Sequence, residues 1–169
     1  LFDCLTAWLA PILCFTAEEA WLARTGDAAD NSVHLRTYPE IPAAWHDPAL
    51  AAKWQKIRAL RRVVTGAIEV ERAERRIGSS LQARPVVHAD ADYVRALGGL
   101  DMAESAITSG IEVVAGPVPA DAFILPDVPG VGVLPAKATA TRCARCWQHL
   151  PDVGSIDAHP DLCGRCADA

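Results

Sequence analysis

Residues 47–84, DPALAAKWQKIRALRRVVTGAIEVERAERRIGSSLQAR, organise the chain. Leu50, Trp54, Ile57, Leu60, Val64 and Ile68 recur at steps of three and four, which puts them on one face of a 3.6-residue helix. Asp47 suits an N-cap, and Pro48 suits the first helical position. The pattern predicts one long amphipathic helix. Run on to Ile77, it would measure about 45 Å at about 1.5 Å per residue. It should fray or end near Ile77-Gly78-Ser79-Ser80, because glycine costs about 1 kcal/mol relative to alanine inside a helix.

Charge is the second feature of this stretch. Between Lys53 and Arg84 nine basic residues face only Glu69, Glu71 and Glu74, a local balance of +6 in a chain of net charge −5, so the remainder carries −11. A segregated basic helix invites a polyanion. The plainer reading is a solvated face, with Glu71 and Arg75 paired at i,i+4 and Glu69 and Arg72 at i,i+3. Arg58, Arg61 and Arg62 have no acid within reach along the helix, which makes them the better candidates for phosphate contacts.

At 169 residues and 51% apolar composition the chain can bury a real core and has room for two or three modules. No run of eighteen apolar residues suggests a membrane span, and no basic-then-apolar leader suggests secretion. The chain opens on Leu1 inside a helical pattern, as expected of a piece of a longer protein. Leu1, Leu5, Trp8 and Leu9 carry that pattern until Pro11 interrupts it. Thr16-Ala17-Glu18-Glu19 fits a capping box that opens a short helix, with Gly26 as terminator. Cys4 and Cys14 read as small buried apolar residues, and His34 as a structural histidine. Residues 32–42 hold two prolines and no helical period, as an extended connector would.

From Pro85 the pattern changes to short β-branched runs at 86–88, 106–108, 111–114, 123–125 and 131–134, punctuated by Gly, Pro and Asp. Tyr93–Leu97 and Leu100–Glu104 read as helical turns between strands, with Asp90, Asp92 and Asp101 as caps and turn formers. Nothing here has catalytic spacing.

Four of the six cysteines crowd the end of the chain. Cys143-Ala144-Arg145-Cys146 and Cys163-Gly164-Arg165-Cys166 are separated by sixteen residues, the spacing of a paired C-x2-C zinc site. Two residues between cysteines let a tight turn bring both sulfurs to about 2.3 Å from one ion, and four thiolates close a tetrahedron with no open position. Such a site is structural rather than hydrolytic. A disulfide framework is the alternative, and His149 and His159 in the intervening loop are competing ligands. Trp147, next to Cys146, can be a lid on the metal or an exposed platform for a base.

Several runs resemble the C-terminal region of bacterial isoleucyl-tRNA synthetases. Glu69 to Ala83 resembles the E-x-x-R-x-x-K-x-I-G-S-S-L-E-A pattern that closes their helical anticodon-binding domain, with an arginine in place of lysine and Gln82 in place of glutamate. Arg142-Cys143-Ala144-Arg145-Cys146-Trp147 and Leu162 to Cys166 resemble the two halves of their terminal zinc finger. Ala10-Pro11-Ile12-Leu13, Glu18-Glu19-Ala20-Trp21 and Ser32-Val33-His34-Leu35 are also similar to that family, in order.

The resemblance implies an α+β multi-module chain. Residues 1–45 would end a helical bundle and supply a connector, and 46–84 would be the long basic helix closing it. Residues 85–136 would form a small α/β junction and 137–169 a Cys4 zinc finger. It implies one Zn2+ per chain on Cys143, Cys146, Cys163 and Cys166. It also implies tRNA, tRNA(Ile) in particular, as partner at the anticodon stem-loop. Arg142, Arg145 and Arg165 would supply phosphate contacts near Trp147, beside the helix candidates Arg58, Arg61 and Arg62. The parent enzyme would join isoleucine to tRNA with ATP and Mg2+ in a catalytic domain absent here, since neither an H-I-G-H-like nor a K-M-S-K-S-like segment occurs. A monomeric cytoplasmic protein without membrane contact, and without catalytic residues in this stretch, is the expectation. The same finger type occurs in formamidopyrimidine-type DNA glycosylases, so a glycosylase tail remains open. So does a zinc scaffold without RNA, whereas a valine or leucine synthetase would share the Ile-Gly-Ser-Ser type ending but not the terminal finger, which goes with the isoleucine enzymes.

Overall fold

Pro11 separates the first two helices, α1 (Phe2–Leu9) and α2 (Cys14–Thr25), in a computed structural model that describes all 169 residues. The chain divides into two compact units, Leu1–Pro48 and Ala49–Ala169. In the first, Ala10, Ala17 and Val33 form a small core under Trp21. The Phe2 and Trp21 rings stack at 6.2 Å, with the Arg24 guanidinium 4.5 Å over Phe2. The expected capping box does not form. Leu13 N–H donates to Leu9 and Ala17 N–H to Leu13, so α1 turns directly into α2 and Thr16 lies inside its first turn. Glu18, not Glu19, is the working carboxylate: it accepts from Ser32 Oγ at 3.0 Å and Val33 N at 2.8 Å. His34 Nε2 meets Cys14 O at 3.2 Å, as a structural histidine should. Cys4 is buried, but Cys14 is exposed.

The long helix is α3 (Pro48–Ala73), 26 residues and therefore about 39 Å long. Ile57, Leu60, Val63, Val64, Ala67 and Ile68 are its buried face. Leu50 and Trp54 share the period but stay 49% and 39% exposed, so the buried stripe begins two turns later than the spacing suggests. The helix also stops earlier than Ile77. Arg75 takes the left-handed conformation (φ 59°), its N–H bonds Arg72 O, and Arg76 N–H reaches back to Glu71 O at 2.9 Å. That is a Schellman ending with arginine where glycine is usual. The reversal redirects the ion pairs. Arg72 holds Glu69 at 2.7 Å as the spacing predicts, but Glu71 is gripped by Arg76, not Arg75, through contacts of 2.6 and 2.5 Å. The Arg76 guanidinium holds the Glu71 carboxyl below its ordinary pKa.

Beyond the helix, Gln82 Oε1 accepts from Gly78 N at 2.6 Å and closes the Ile77–Gln82 turn. The chain then enters β1 (Val86–Ala89). β1 pairs in parallel with β2 (Glu112–Ala115) and antiparallel with β3 (Val131–Leu134), in sheet order β2-β1-β3. The parallel pair needs a crossover, which α4 (Ala91–Leu97) and α5 (Met102–Ala106) supply. Val87 and Ala89 of β1, Val131 and Val133 of β3 and the buried face of α3 make one core.

Two expected strands are absent. Ala106-Ile107-Thr108 is the end of α5: Ile107 is left-handed (φ 56°) and Thr108 N–H bonds back to Ala103 O at 2.9 Å. Phe123-Ile124-Leu125 makes only a one-residue bridge, Phe123 to Val133, because Pro126, with no N–H, ends pairing. The Phe123 ring lies against Gly66 of α3, where a Cβ would stand 2.9 Å from it. Asp101 caps α5 through Ala103 and Glu104 N–H. Asp92 pairs with Lys56 and Arg95, and Asp90 stands at the N-cap of α4 without a side-chain cap bond.

No helix is long and apolar enough to cross a membrane. The α3 ending yields a stability test. Arg75 is exposed and its left-handed backbone costs an L-residue about 1 kcal/mol. Arg75→Gly should therefore raise the free energy of unfolding by about 1 kcal/mol in urea titration, and an unchanged or lower value would mean the arginine side chain matters more than its backbone.

Candidate functional site

The end of the chain folds around its sulfurs. Cys143 N–H donates to Gln148 O at 2.9 Å, Trp147 N–H to Cys143 O at 3.0 Å and Leu150 N–H to Thr141 O at 3.0 Å, so residues 141–150 form a tight hairpin. Trp147 takes a left-handed φ of 67° to close it. The second pair opens α6 (Gly164–Asp168), whose first N–H, at Gly164, is held by Asp152 Oδ2 at 2.8 Å. Leu150, Val153 and Leu162 pack around the cysteines in a core of their own, separate from the other two.

All six cysteines are free thiols, so the disulfide alternative falls away. The four late Sγ atoms lie within 4.8 Å of one another, and Cys146 Sγ stands 3.9 Å from Cys163 Sγ. Tetrahedral sulfurs at about 2.3 Å from zinc are about 3.8 Å apart. The donor set therefore fits zinc in number, softness and span. Neither His149 nor His159 joins the cluster. His149 Nδ1 instead faces Ala140 O at 2.9 Å.

The four thiols do not hold their protons equally. The Cys146 backbone N–H, foremost among several donors, holds the Cys143 thiol down to about 6. Burial pushes Cys163 up, and Cys166 up to about 12. A metal has to displace those protons, so its binding depends on pH, and binding becomes folding energy for a core this small. The finger's arginines stand close: Arg145 donates to Cys166 O at 3.0 Å, and Arg165 bonds Gln148 Oε1 at 3.1 Å, with its own pKa raised by the neighbouring Cys146 sulfur.

The arginines expected to meet phosphate separate into two kinds. Arg61 is spent on Ser105 O at 2.7 Å and Arg62 on Asp127 at 2.9 Å, across the chain rather than along the helix, where the sequence shows no acid. Arg58 and Arg142 are exposed and have no side-chain partner. Trp147 is 60% exposed and is not among the residues packed on the cysteine core. Its indole N–H is spent on Ala144 O at 3.1 Å.

Residues 1–87 match the family described as the anticodon-binding domain of tRNA ligase. The chain belongs to that family. Residues 142–169 match a second family, the zinc finger found in FPG and IleRS. The whole chain is 57% identical over 170 residues to the isoleucine–tRNA ligase of Agrobacterium fabrum and 51% identical over 170 residues to that of Bartonella henselae. It is 53% identical over 169 residues, 98% of its length, to the isoleucine–tRNA ligase of Mesorhizobium japonicum. It spans 17% of each of these relatives. The anticodon-domain match takes in α1, α2, α3 and the Ile77–Gln82 turn, and ends in β1.

Sequence reasoning missed Ser109, Thr108 and Gln148. Ser109 Oγ donates to Leu81 O at 2.5 Å and accepts from His149 N at 2.6 Å, and Gln148 Nε2 donates to Thr108 O at 3.2 Å. A serine in a Thr-Ser-Gly turn gives no sign that it will be buried between distant segments.

Metal analysis of the purified chain should find one zinc. Less than half an equivalent, with the four late thiols titratable in the native state besides exposed Cys14, would refute the site. Cys143→Ser should unfold residues beyond 137 and spare the helical circular dichroism, since α1, α2 and α3 are packed in cores without these cysteines.

Proposed function

We propose that this chain is the tRNA-binding part of an isoleucine–tRNA ligase that recognises the anticodon stem-loop side of tRNA(Ile). One observation carries the proposal: a single chain joins an anticodon-binding domain match to a Cys4 knuckle that presents an exposed tryptophan. One Zn2+, held by Cys143, Cys146, Cys163 and Cys166, shapes the knuckle and does no chemistry, because four thiolates leave no position for water or substrate. The longer protein joins isoleucine to tRNA with ATP and Mg2+ in a catalytic domain beyond these residues, as a cytoplasmic monomer.

Arg58 and Arg142, exposed and unpartnered, meet backbone phosphates, which position RNA without reading its sequence. Arg61, Arg62, Arg145 and Arg165 already hold protein partners, so they contribute field and remaining N–H groups rather than primary contacts. The Trp147 ring stacks on a loop base. Its exposure, and its absence from the sulfur core, favour a platform over a lid on the metal. The match over residues 1–87 favours this reading over a DNA-glycosylase tail, which would share only the finger.

Filter binding of the chain to tRNA(Ile), with other tRNAs as competitors, tests the whole proposal. Replacing Arg58 and Arg142 by alanine should weaken cognate and non-cognate binding alike and flatten the log-affinity versus log-salt slope by about 1 per arginine. An unchanged slope would mean that both only solvate the surface.

A second measurement isolates the ring. One stacked base is worth about 1–3 kcal/mol, so Trp147→Ala should weaken cognate binding by about tenfold or more with zinc content unchanged. Loss of zinc in that variant would return the ring to the role of a lid.

A further inference from the structure

The cysteine core and the sheet core share no buried apolar residue, yet both lie within the unit Ala49–Ala169. What joins them is polar. The hydroxyl of Ser109, 8% exposed, is fully used: it donates to Leu81 O in the turn after α3 and accepts from the His149 N–H of the knuckle. Ser109 N–H is itself anchored on Ala83 O at 3.1 Å. Beside it, Gln148 spans the joint. Its Nε2 donates to the carbonyl of fully buried Thr108, while its Oε1 faces Arg165 at 3.1 Å and Cys146 Sγ at 3.8 Å.

We infer that Ser109 and Gln148 form a latch that docks the Cys4 knuckle on the body of this unit, and that metal loading closes it. Docking encloses the Nε2 of His149 with no partner, an unfavourable desolvation that opposes closure. Two hydrogen bonds from a hairpin whose cysteines hold no ion do not hold against that. The metal supplies the missing constraint. Once Cys143 and Cys146 are fixed to the same ion, the Cys143 N–H to Gln148 O bond fixes the backbone of Gln148, and both latch donors are aimed at Thr108 and Ser109. Ser109 is thus a positioning residue acting through Leu81 and His149, without touching the metal. Trp147 lies between Cys146 and Gln148, so the latch also fixes where its ring is presented. Only that last consequence rests on the proposed RNA reading.

Amide hydrogen exchange on the zinc-loaded 169-residue chain reads the latch with no RNA present. The His149 amide should be protected in the wild type. In Ser109→Ala it should exchange about tenfold faster or more, while the amides of Val87 and Val133 keep their protection. Zinc content and the thiolate-to-metal absorption of the Co2+-substituted variant should stay as in the wild type, which separates an open latch from a damaged metal site. Ser109→Thr, which keeps the hydroxyl, should restore protection. Removing zinc from the wild type with a chelator should expose the same His149 amide. Gln148→Leu gives a second route to the same loss, should Ser109→Ala fail to fold. Wild-type protection of His149 in both variants, or in the metal-stripped chain, would overturn the inference.

Discussion

A helix in a protein draws most of its stability from packing its apolar face, and α3, 26 residues long, finds that cover within its own chain. Ile57, Leu60, Val63, Val64, Ala67 and Ile68 each gain about 1.5–3 kcal/mol at most by leaving water, with alanine at the low end or below. That gain requires the sheet to lie along the same stripe. The demand propagates: Gly66 must lack a side chain so that Phe123 can approach, and the 117–131 loop is thereby pulled onto the helix. The helix end is also set by the demand, because the chain must reverse to enter β1 beside the stripe. A left-handed Arg75 accomplishes this where a longer helix would overshoot.

The knuckle answers a different constraint. A core of four sulfurs, Leu150, Val153 and Leu162 is too small to repay the entropy of ordering about thirty residues. Metal ligation supplies the difference, and the polar joint through Ser109 supplies direction. Apolar contact would have held the knuckle more strongly but in many orientations. Hydrogen bonds with fixed donors and acceptors specify one.

The parts of the fold that were legible in the sequence obey local rules. The spacing of Ile57, Leu60, Val64 and Ile68 fixed a helix face, three of the β-branched runs became β1, β2 and β3, and paired C-x2-C fixed the metal cluster. What was not legible depends on partners distant in sequence. Ile107 sits in a left-handed cap that no β-branched residue advertises, Glu71 takes Arg76 only after the chain reverses, and Arg62 finds Asp127 65 residues away. Thr16 failed as a cap because α1 already satisfies the turn that feeds α2. At the site, the ligands were readable from spacing, but the residues that orient them were not. Gln148 and Ser109 act through one carbonyl and one amide each, and such bonds leave no periodicity.

Partnering also resolves an apparent conflict of charge. A chain of net charge −5 is a poor polyanion binder if its charges act as a sum, and the +6 of residues 53–84 overstates the case in the other direction. Several of those cations are neutralised in place: Lys56 by Asp92, Arg62 by Asp127, Arg72 by Glu69 and Arg76 by Glu71 and Glu74. Exposed pairs of this kind contribute little stability, but each removes a cation from the field that a phosphate would meet. What remains is a few unpaired guanidinium groups whose contribution is local. At physiological salt exposed charges are screened beyond about 8 Å, so a phosphate responds to the charges beside it rather than to the net charge of the chain. Recognition by so few charges is weak unless something else fixes register. An aromatic ring held rigidly beside a metal ligand can do that, since it loses little freedom on stacking.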